Sequence, residues 1–145
     1  MTDTPTLRHA ETDADVMACF DVMHQLRPQL NSREEFLARV ALQRAQGYRL
    51  LGVWEDGKAV ALAGYRRIDN LIHGRFIYVD DLITDEAGRG RGHGERLLAE
   101  LGTLGRADDC QRLVLDTALA NALAQRFYFR CGLLARGLHF TMELA

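Results

Sequence analysis

The segment Arg89-Gly90-Arg91-Gly92-His93-Gly94 packs three glycines and two arginines into six residues. An apolar, β-type run from Arg75 to Thr84 leads towards it through Asp85-Glu86-Ala87-Gly88, and an amphipathic helical pattern opening with Glu95-Arg96-Leu97-Leu98 leads away. A strand, a glycine-rich turn and a helix start, in that order, make an anion site. The first N–H groups of a helix lack intrahelical partners, and the helix dipole adds partial positive charge there. Glycine has no Cβ to hold a phosphate away from the backbone. Arginine adds fixed charge and planar donors. These residue types suit a pyrophosphate. Two common phosphate motifs fail on spacing. Counted from Gly88, the last glycine of a dinucleotide fingerprint falls on His93; counted from Gly90, it falls on Glu95. The Walker ending Gly-Lys-Ser/Thr is absent. The plain alternative is a corner turn with two solvated arginines, and His93, between two glycines, reads as a partly exposed loop residue.

Two further groups of residues can do chemistry. Asp80 and Asp81 sit together on the strand before the turn. Strand side chains alternate, so a regular strand presents only one of them to a site. Adjacent acids also favour a raised pKa in one member, which suits a general base, while the reading in which one binds a cationic amine and the other closes a salt bridge is at least as open. Downstream, the apolar run Leu113 to Thr117 precedes Asn121, and Ala124, Phe127, Tyr128 and Gly132 follow on a helical pattern. Asn121 is a natural helix cap. Tyr128 lies among Leu123, Phe127 and Phe129, where an ordinary core aromatic would also fit.

These residues need a scaffold. The pattern predicts one domain, residues 1–145, with the order β-α-α-β-β-β-α-β-α-β-β. Thr6 to His9 reads as a first strand. Thr12 with Asp15 resembles a capping box and opens a helix with Val16, Phe20 and Met23 on one stripe, closed near Pro28. Ser32 with Glu35 opens a second helix that Gly47 ends. Tyr48 to Trp54 is a strand, Asp56-Gly57 a hairpin turn, Lys58 to Arg67 the return strand, and Asp69-Asn70 the next turn. Leu133 to Arg136 and Leu138 to Leu144 read as two closing strands. Such an order implies an α/β fold with a mixed, mostly antiparallel sheet flanked by helices.

Composition excludes several functions. The net charge is −2, which gives nucleic acid no basic surface to bind. No stretch approaches the roughly 18 apolar residues of a membrane span. Cys19, Cys110 and Cys131 are odd in number and widely spaced, so neither a metal motif nor a disulfide framework is expected. The polar start, Met1 to Thr6, carries no basic and apolar signal. A cytoplasmic location, without nucleic acid, membrane or metal, is the expectation.

The two motifs together resemble the GNAT superfamily of acyl-CoA-dependent N-acetyltransferases. Arg89, Gly92 and Gly94 fill its pyrophosphate pattern, Arg/Gln-x-x-Gly-x-Gly/Ala. Asn121 and the Ala124, Phe127, Tyr128, Gly132 series match its later strand-Asn-helix motif. The resemblance is close over residues 75–145 and rests on element order before that. It implies transfer of an acetyl or other small acyl group from acetyl-CoA to a primary amine by direct attack in a ternary complex. The residues implied for binding coenzyme A are Leu82, Ile83 and Thr84 through their backbone, the stretch Arg89, Gly90, Arg91, Gly92, His93 and Gly94 at the pyrophosphate, and Asn121 at the pantetheine arm. Tyr128 is the implied general acid to the departing thiolate, and Asp80 or Asp81 the implied base, with His139 a weaker candidate. Arg27, Pro28, Asn70, His73 and His139 are the expected lining of the acceptor pocket. Family members are often dimers, although the oligomeric state is not readable from this sequence. Leu133 stands where the family usually has Phe, and Thr84 where it commonly has an aliphatic residue. The competing reading is a non-catalytic acyl-CoA sensor or interaction module of the same fold.

Overall fold

The computed structural model describes residues 4–145. The chain forms two compact units, one running through Val114 and the other from Leu115 to Ala145. The first unit carries β1 (Thr6–His9), α1 (Asp13–Ala18), α2 (Phe20–Leu26), α3 (Arg33–Arg44), β2 (Arg49–Glu55), β3 (Lys58–Asn70), β4 (Gly74–Thr84), a 3₁₀ turn (Glu86–Gly88) and α4 (His93–Ala107). Strand β5 (Arg112–Leu115) spans the boundary, and α5 (Ala122–Arg130) lies in the second unit. The five strands form one sheet in sequence order, and β1–β2, β2–β3 and β3–β4 pair antiparallel. The expected α/β class and the run of helices and strands from β2 to α5 hold.

Local chemistry explains most boundaries. Thr12 Oγ1 accepts the Asp15 N–H at 3.1 Å and starts α1. The expected single helix is two, joined at Cys19, whose side chain is buried. Ser32 Oγ accepts the Glu35 N–H at 3.1 Å, while Glu35 Oε2 reaches back to the Asn31 N–H at 2.9 Å. Asp56 and Gly57 both have positive φ, 52° and 76°, as a two-residue hairpin turn requires. The next turn lies at 71–73, beyond the expected Asp69-Asn70. Asn70 Oδ1 closes it by accepting the Ile72 and His73 N–H groups at 3.0 and 2.8 Å. Helix α5 ends in a complete Schellman motif. Gly132 has φ +90°, its N–H donates to Phe129 O, and the Leu133 N–H donates to Tyr128 O, each at 3.0 Å.

One cluster of buried residues joins α1–α3 to the sheet through Val16, Met23, Phe36, Val40, Leu50 and Leu62. On α4, Leu97 and Leu101 are fully buried. A Cβ on Gly105 would lie 3.1 Å from Ile77 Cγ1, so α4 lies close against β4.

The two closing strands do not form: residues 133–145 hold no strand. Alternating polarity makes a strand only where another strand's edge accepts its N–H and C=O groups.

Candidate active site

Strand β4 is irregular where its two aspartates lie. Gly64 faces Asp81 and Tyr65 faces Val79, so Asp80 is an extra residue on β4. Such a bulge breaks alternation. Both aspartates line the same cavity of about 380 Å³, together with Arg27, Glu35, Arg39 and Tyr48. The Asp81 carboxylate meets two partners that line this cavity, Arg27 and Tyr48, whereas that of Asp80 meets Arg66, which does not.

The carboxylates are held by different partners. Asp81 Oδ1 accepts Arg27 Nε at 2.9 Å, and Asp81 Oδ2 accepts the Tyr48 hydroxyl at 2.8 Å. Arg27 Nη2 also donates to the Asp80 carbonyl at 2.9 Å, which pins the bulge. Asp80 takes a fork from Arg66, with Nε and Nη2 at 3.0 and 2.8 Å. Tyr48 is only 3% exposed. Burial, reinforced by the Asp81 charge, pushes its phenol well above the usual range, so Tyr48 is a fixed donor. The hydroxyl occupies space that only glycine leaves open. A Cβ on Gly64 would lie 1.8 Å from Tyr48 Oη and 2.7 Å from Asp81 Oδ2.

Neither Tyr48 nor Gly64 stood out in the sequence. The available signal was an isolated glycine inside an apolar strand, which marks close approach. Arg27 lines the cavity as expected. Pro28, Asn70, His73 and His139 are not among its lining residues. Asn70 and His73 sit at the tip of the β3–β4 hairpin, roughly 20 Å along the strand from Asp80. His139 is in the second unit, on no strand, 3.5 Å from Asp116.

Beyond β4 the backbone turns twice in the left-handed region, at Gly90 (φ +88°) and Gly92 (φ +80°). A Cβ at either would meet nothing within 4 Å. These glycines are required by backbone conformation and not by crowding within the protein. Gly92 is the N-cap of α4 and offers no side chain, and the first intrahelical bond is Arg96 N–H to Gly92 O at 3.0 Å. The N–H groups of His93, Gly94 and Glu95 therefore have no intrahelical partner. Gln25 of α2 steadies the start of the turn, donating to Asp85 Oδ1 at 3.1 Å and accepting the Glu86 N–H at 3.0 Å. Arg89 is exposed, and Arg91 pairs with Glu55 Oε2 at 2.8 Å. A helix start of this kind, with N–H groups free of intrahelical bonds, can accept an anion.

His93 is not an exposed loop residue. It opens α4 and is 5% exposed, with Nε2 lacking a hydrogen-bond partner among the described residues. The first helical residue folds its ring back beside Gly88, where a Cβ would lie 3.8 Å from His93 Cδ2. Burial, then the Arg91 charge, pushes its imidazole below the usual range.

The edge of β4 resolves the three backbone candidates. Asp85 N–H donates to Val60 O at 2.8 Å, and Ile83 lies opposite Leu62. Antiparallel alternation then directs the Ile83 N–H at β3 and those of Leu82 and Thr84 to the opposite edge. Strand β5 approaches that edge beside Arg75, whose carbonyl accepts the Gln111 N–H at 2.7 Å. Four residues span about 13 Å and cannot reach Leu82.

In the second unit, Asn121 Oδ1 accepts the Ala124 N–H at 3.1 Å and caps α5, the plainer of its two expected roles. Tyr128 is half-buried on α5, its ring centroid 5.5 Å from that of Phe127. Burial, with the Cys131 thiol nearby, raises its phenol above the usual value, so it carries its proton at neutral pH.

The sequence matches the model of the acetyltransferase (GNAT) family over residues 12–133. The chain belongs to the GNAT acetyltransferase family. No curated protein matches the sequence. Among solved structures, a proposed acetyltransferase from Agrobacterium tumefaciens str. C58 is 25% identical, covers 95% of this chain and 99% of its own, and superposes with a TM-score of 0.82. A Trypanosoma brucei acetyltransferase is 20% identical over 97% of this chain and 100% of its own, with a TM-score of 0.80. Glucosamine-6-phosphate N-acetyltransferase from Arabidopsis thaliana is 20% identical over 99% and 100%, with a TM-score of 0.77. The last two establish the fold alone. As a GNAT acetyltransferase the protein takes its acyl group from acetyl-CoA. No helix among the described residues is long and apolar enough to cross a membrane.

Proposed function

We propose that this GNAT protein is an N-acetyltransferase that acetylates a primary amine by direct attack within a ternary complex. The observation that carries the proposal is the course of β4. One strand brings two aspartates to a cavity and then delivers the chain to a helix start whose first three N–H groups have no intrahelical partner. An amine site and an anion site thus share one rigid element.

The geometry of each group supports a role in this reaction. The N–H groups of His93, Gly94 and Glu95 bind the pyrophosphate, assisted by the charges of Arg89 and Arg91. The outward N–H groups of Leu82 and Thr84 hold the thioester carbonyl, while Ile83 spends its N–H within the sheet. Asp81 orients the amine and receives its proton. It is favoured over Asp80 because both its partners, Arg27 and Tyr48, line the cavity, whereas Arg66 does not. Each carboxylate oxygen retains a further lone pair for the amine. Tyr128, protonated at neutral pH, donates to the departing sulfur. Asn121 contacts the pantetheine arm with its remaining amide group. Direct attack is supported by the cavity lining, which offers no cysteine, serine, lysine or histidine to carry an acyl group. Cys19 is no candidate, since burial pushes its thiol up to about 12. Three free thiols suit a reducing, cytoplasmic setting.

The test compares free-thiol release by wild type and Tyr128→Phe across a panel of amines, with thermal unfolding in acetyl-CoA run alongside. Turnover should fall about 10²–10⁴-fold while the acetyl-CoA shift is retained. Unchanged turnover would remove Tyr128 as the acid. An acetyl-CoA shift with no turnover on any amine would leave the sensor reading.

A further inference from the structure

The cavity beside the β4 bulge has two arginines among its lining residues, and they differ. Arg27 is committed to Asp81 at 2.9 Å. Arg39, exposed on α3, has neither an ion pair nor a hydrogen bond among the described residues. The cause is local. Glu35 lies one helical turn before Arg39, the usual place for a pairing acid. It turns back to the helix start instead, where Oε2 accepts the Asn31 N–H at 2.9 Å. The acid that would neutralise Arg39 is spent on the cap.

Charge decides what such a cavity can hold. The lining acids Glu35, Asp80 and Asp81 are matched by Arg27, Arg39 and, beside Asp80, Arg66. A ligand without net charge keeps that balance. A diamine brings two positive charges to a wall that already holds Arg27 and Arg39. A simple monoamine occupies Asp81 and leaves Arg39 unmatched. An amine that also carries a carboxylate answers both, and the planar guanidinium fits a carboxylate with two parallel hydrogen bonds. Buried Met23 and Phe36, with Leu30, offer apolar surface to a carbon stem between the two groups. A volume of about 380 Å³ lies at the small end of ligand sites and suits a compound of amino-acid size. Every lining residue belongs to the first unit.

We propose that the acceptor is a small amino carboxylate, bound with its amine at Asp81 and its carboxylate on Arg39. The assignment rests on the reading of this cavity as the amine site. The acceptor binds as the zwitterion. Its N–C bond to the acetyl group forms, the thioester C–S bond breaks, and the free thiol and one proton leave. The product keeps its carboxylate but offers Asp81 no positive charge, which favours its release.

The experiment is steady-state free-thiol release at saturating acetyl-CoA with matched acceptors. These are L-amino acids and straight-chain ω-amino carboxylates, their methyl esters, and diamines of the same length. Wild type should show a KM about tenfold lower for its best carboxylate than for the corresponding ester. Arg39→Gln should raise the KM for the carboxylate about tenfold, with a much smaller change in kcat, and erase the preference over the ester. Arg39→Glu should turn the preference towards the diamine. Arg33→Gln removes the same charge from the same helix outside the cavity lining, and the preference should survive it. Equal use of carboxylate and ester by wild type would overturn the proposal. So would a preference that survives Arg39→Gln, or one lost equally in Arg33→Gln. In each of those cases turnover itself leaves the amine-acetylating reading standing. No turnover on any acceptor, by protein that acetyl-CoA still stabilises, would overturn that reading and the proposal with it. Both substituted arginines are exposed, and thermal unfolding checks that each variant is folded.

Discussion

The two ends of the same stretch of chain, the bulge at Asp80–Asp81 and the turn at Gly90–Gly92, prepare for ligands in opposite ways. At the bulge all four carboxylate oxygens already have partners, and the geometry is held by Arg27 at the end of α2, Tyr48 just before β2 and Arg66 on β3. At the turn the useful donors are backbone N–H groups, left without partners by the helix start. In the proposed function the first arrangement fixes direction and discriminates among acceptors, and the second binds a phosphate by its shape and charge. A family can therefore vary one region while keeping the other, because the backbone donors depend on few side-chain identities.

Substitutions in the two regions should differ in kind. The largest effect is expected for Gly64→Ala. Its Cβ collides with Tyr48 Oη and Asp81 Oδ2, in a buried site with nowhere to move. Overpacking of this kind costs about 3 kcal/mol, and the unfolding midpoint should fall by roughly 10 °C. A midpoint within a degree or two of wild type would show that the bulge is soft.

Tyr48→Phe tests the same region more gently. It removes one buried donor from Asp81 and should cost about 1–2 kcal/mol. Because Asp81 is then less firmly oriented, kcat/KM for the amine should fall while the acetyl-CoA shift stays the same. Equal loss of both would erase the distinction between the two regions.

Gly92→Ala should do the reverse. Nothing crowds the added methyl, so the cost is backbone strain alone, about 1–2 kcal/mol for the left-handed region. Stabilisation by acetyl-CoA should nevertheless shrink, because relieving the strain tilts the His93–Glu95 donors. Full retention of the ligand shift would place the anion site elsewhere.

The smallest effect concerns pH. His93 is buried with an imidazole held below its ordinary value of 6.5. The unfolded chain therefore binds the proton more readily than the folded one. Stability should be complete above 6.5 and decline as the pH falls below it. Between neutral and mildly acid pH the midpoint of wild type should drop further than that of His93→Gln. Parallel curves would mean that His93 is neutral in neither state or equally free in both.

Much of the fold was readable because local rules were strong. Thr12, Ser32 and Asn121 announce helix starts through short-range hydrogen bonds, Asp56-Gly57 announces a hairpin, and Gly132 announces a helix end. The turn at Gly90 and Gly92 was readable for the same reason, since its glycines act on their own backbone. What local rules could not supply were features made by distant chain segments. His93 looked exposed between two glycines, and only the packing of α4 beneath the turn buried it. Asp80 and Asp81 looked like alternating neighbours, and only pairing with β3 revealed the bulge. Cys19 gave no sign of breaking a helix.

The sequence by itself determined the family, the order of elements from β2 through α5, the glycine-rich turn and the caps. Each depends on contacts a few residues apart or on motif spacing, both of which are written directly in the chain. Tertiary structure alone decided that Tyr48, Gly64, Arg27 and Asp81 meet, and that residues 133–145 form no strand. Hydrogen bonds and close packing between residues tens of positions apart exist only once the sheet's register is set, and no local pattern encodes that register.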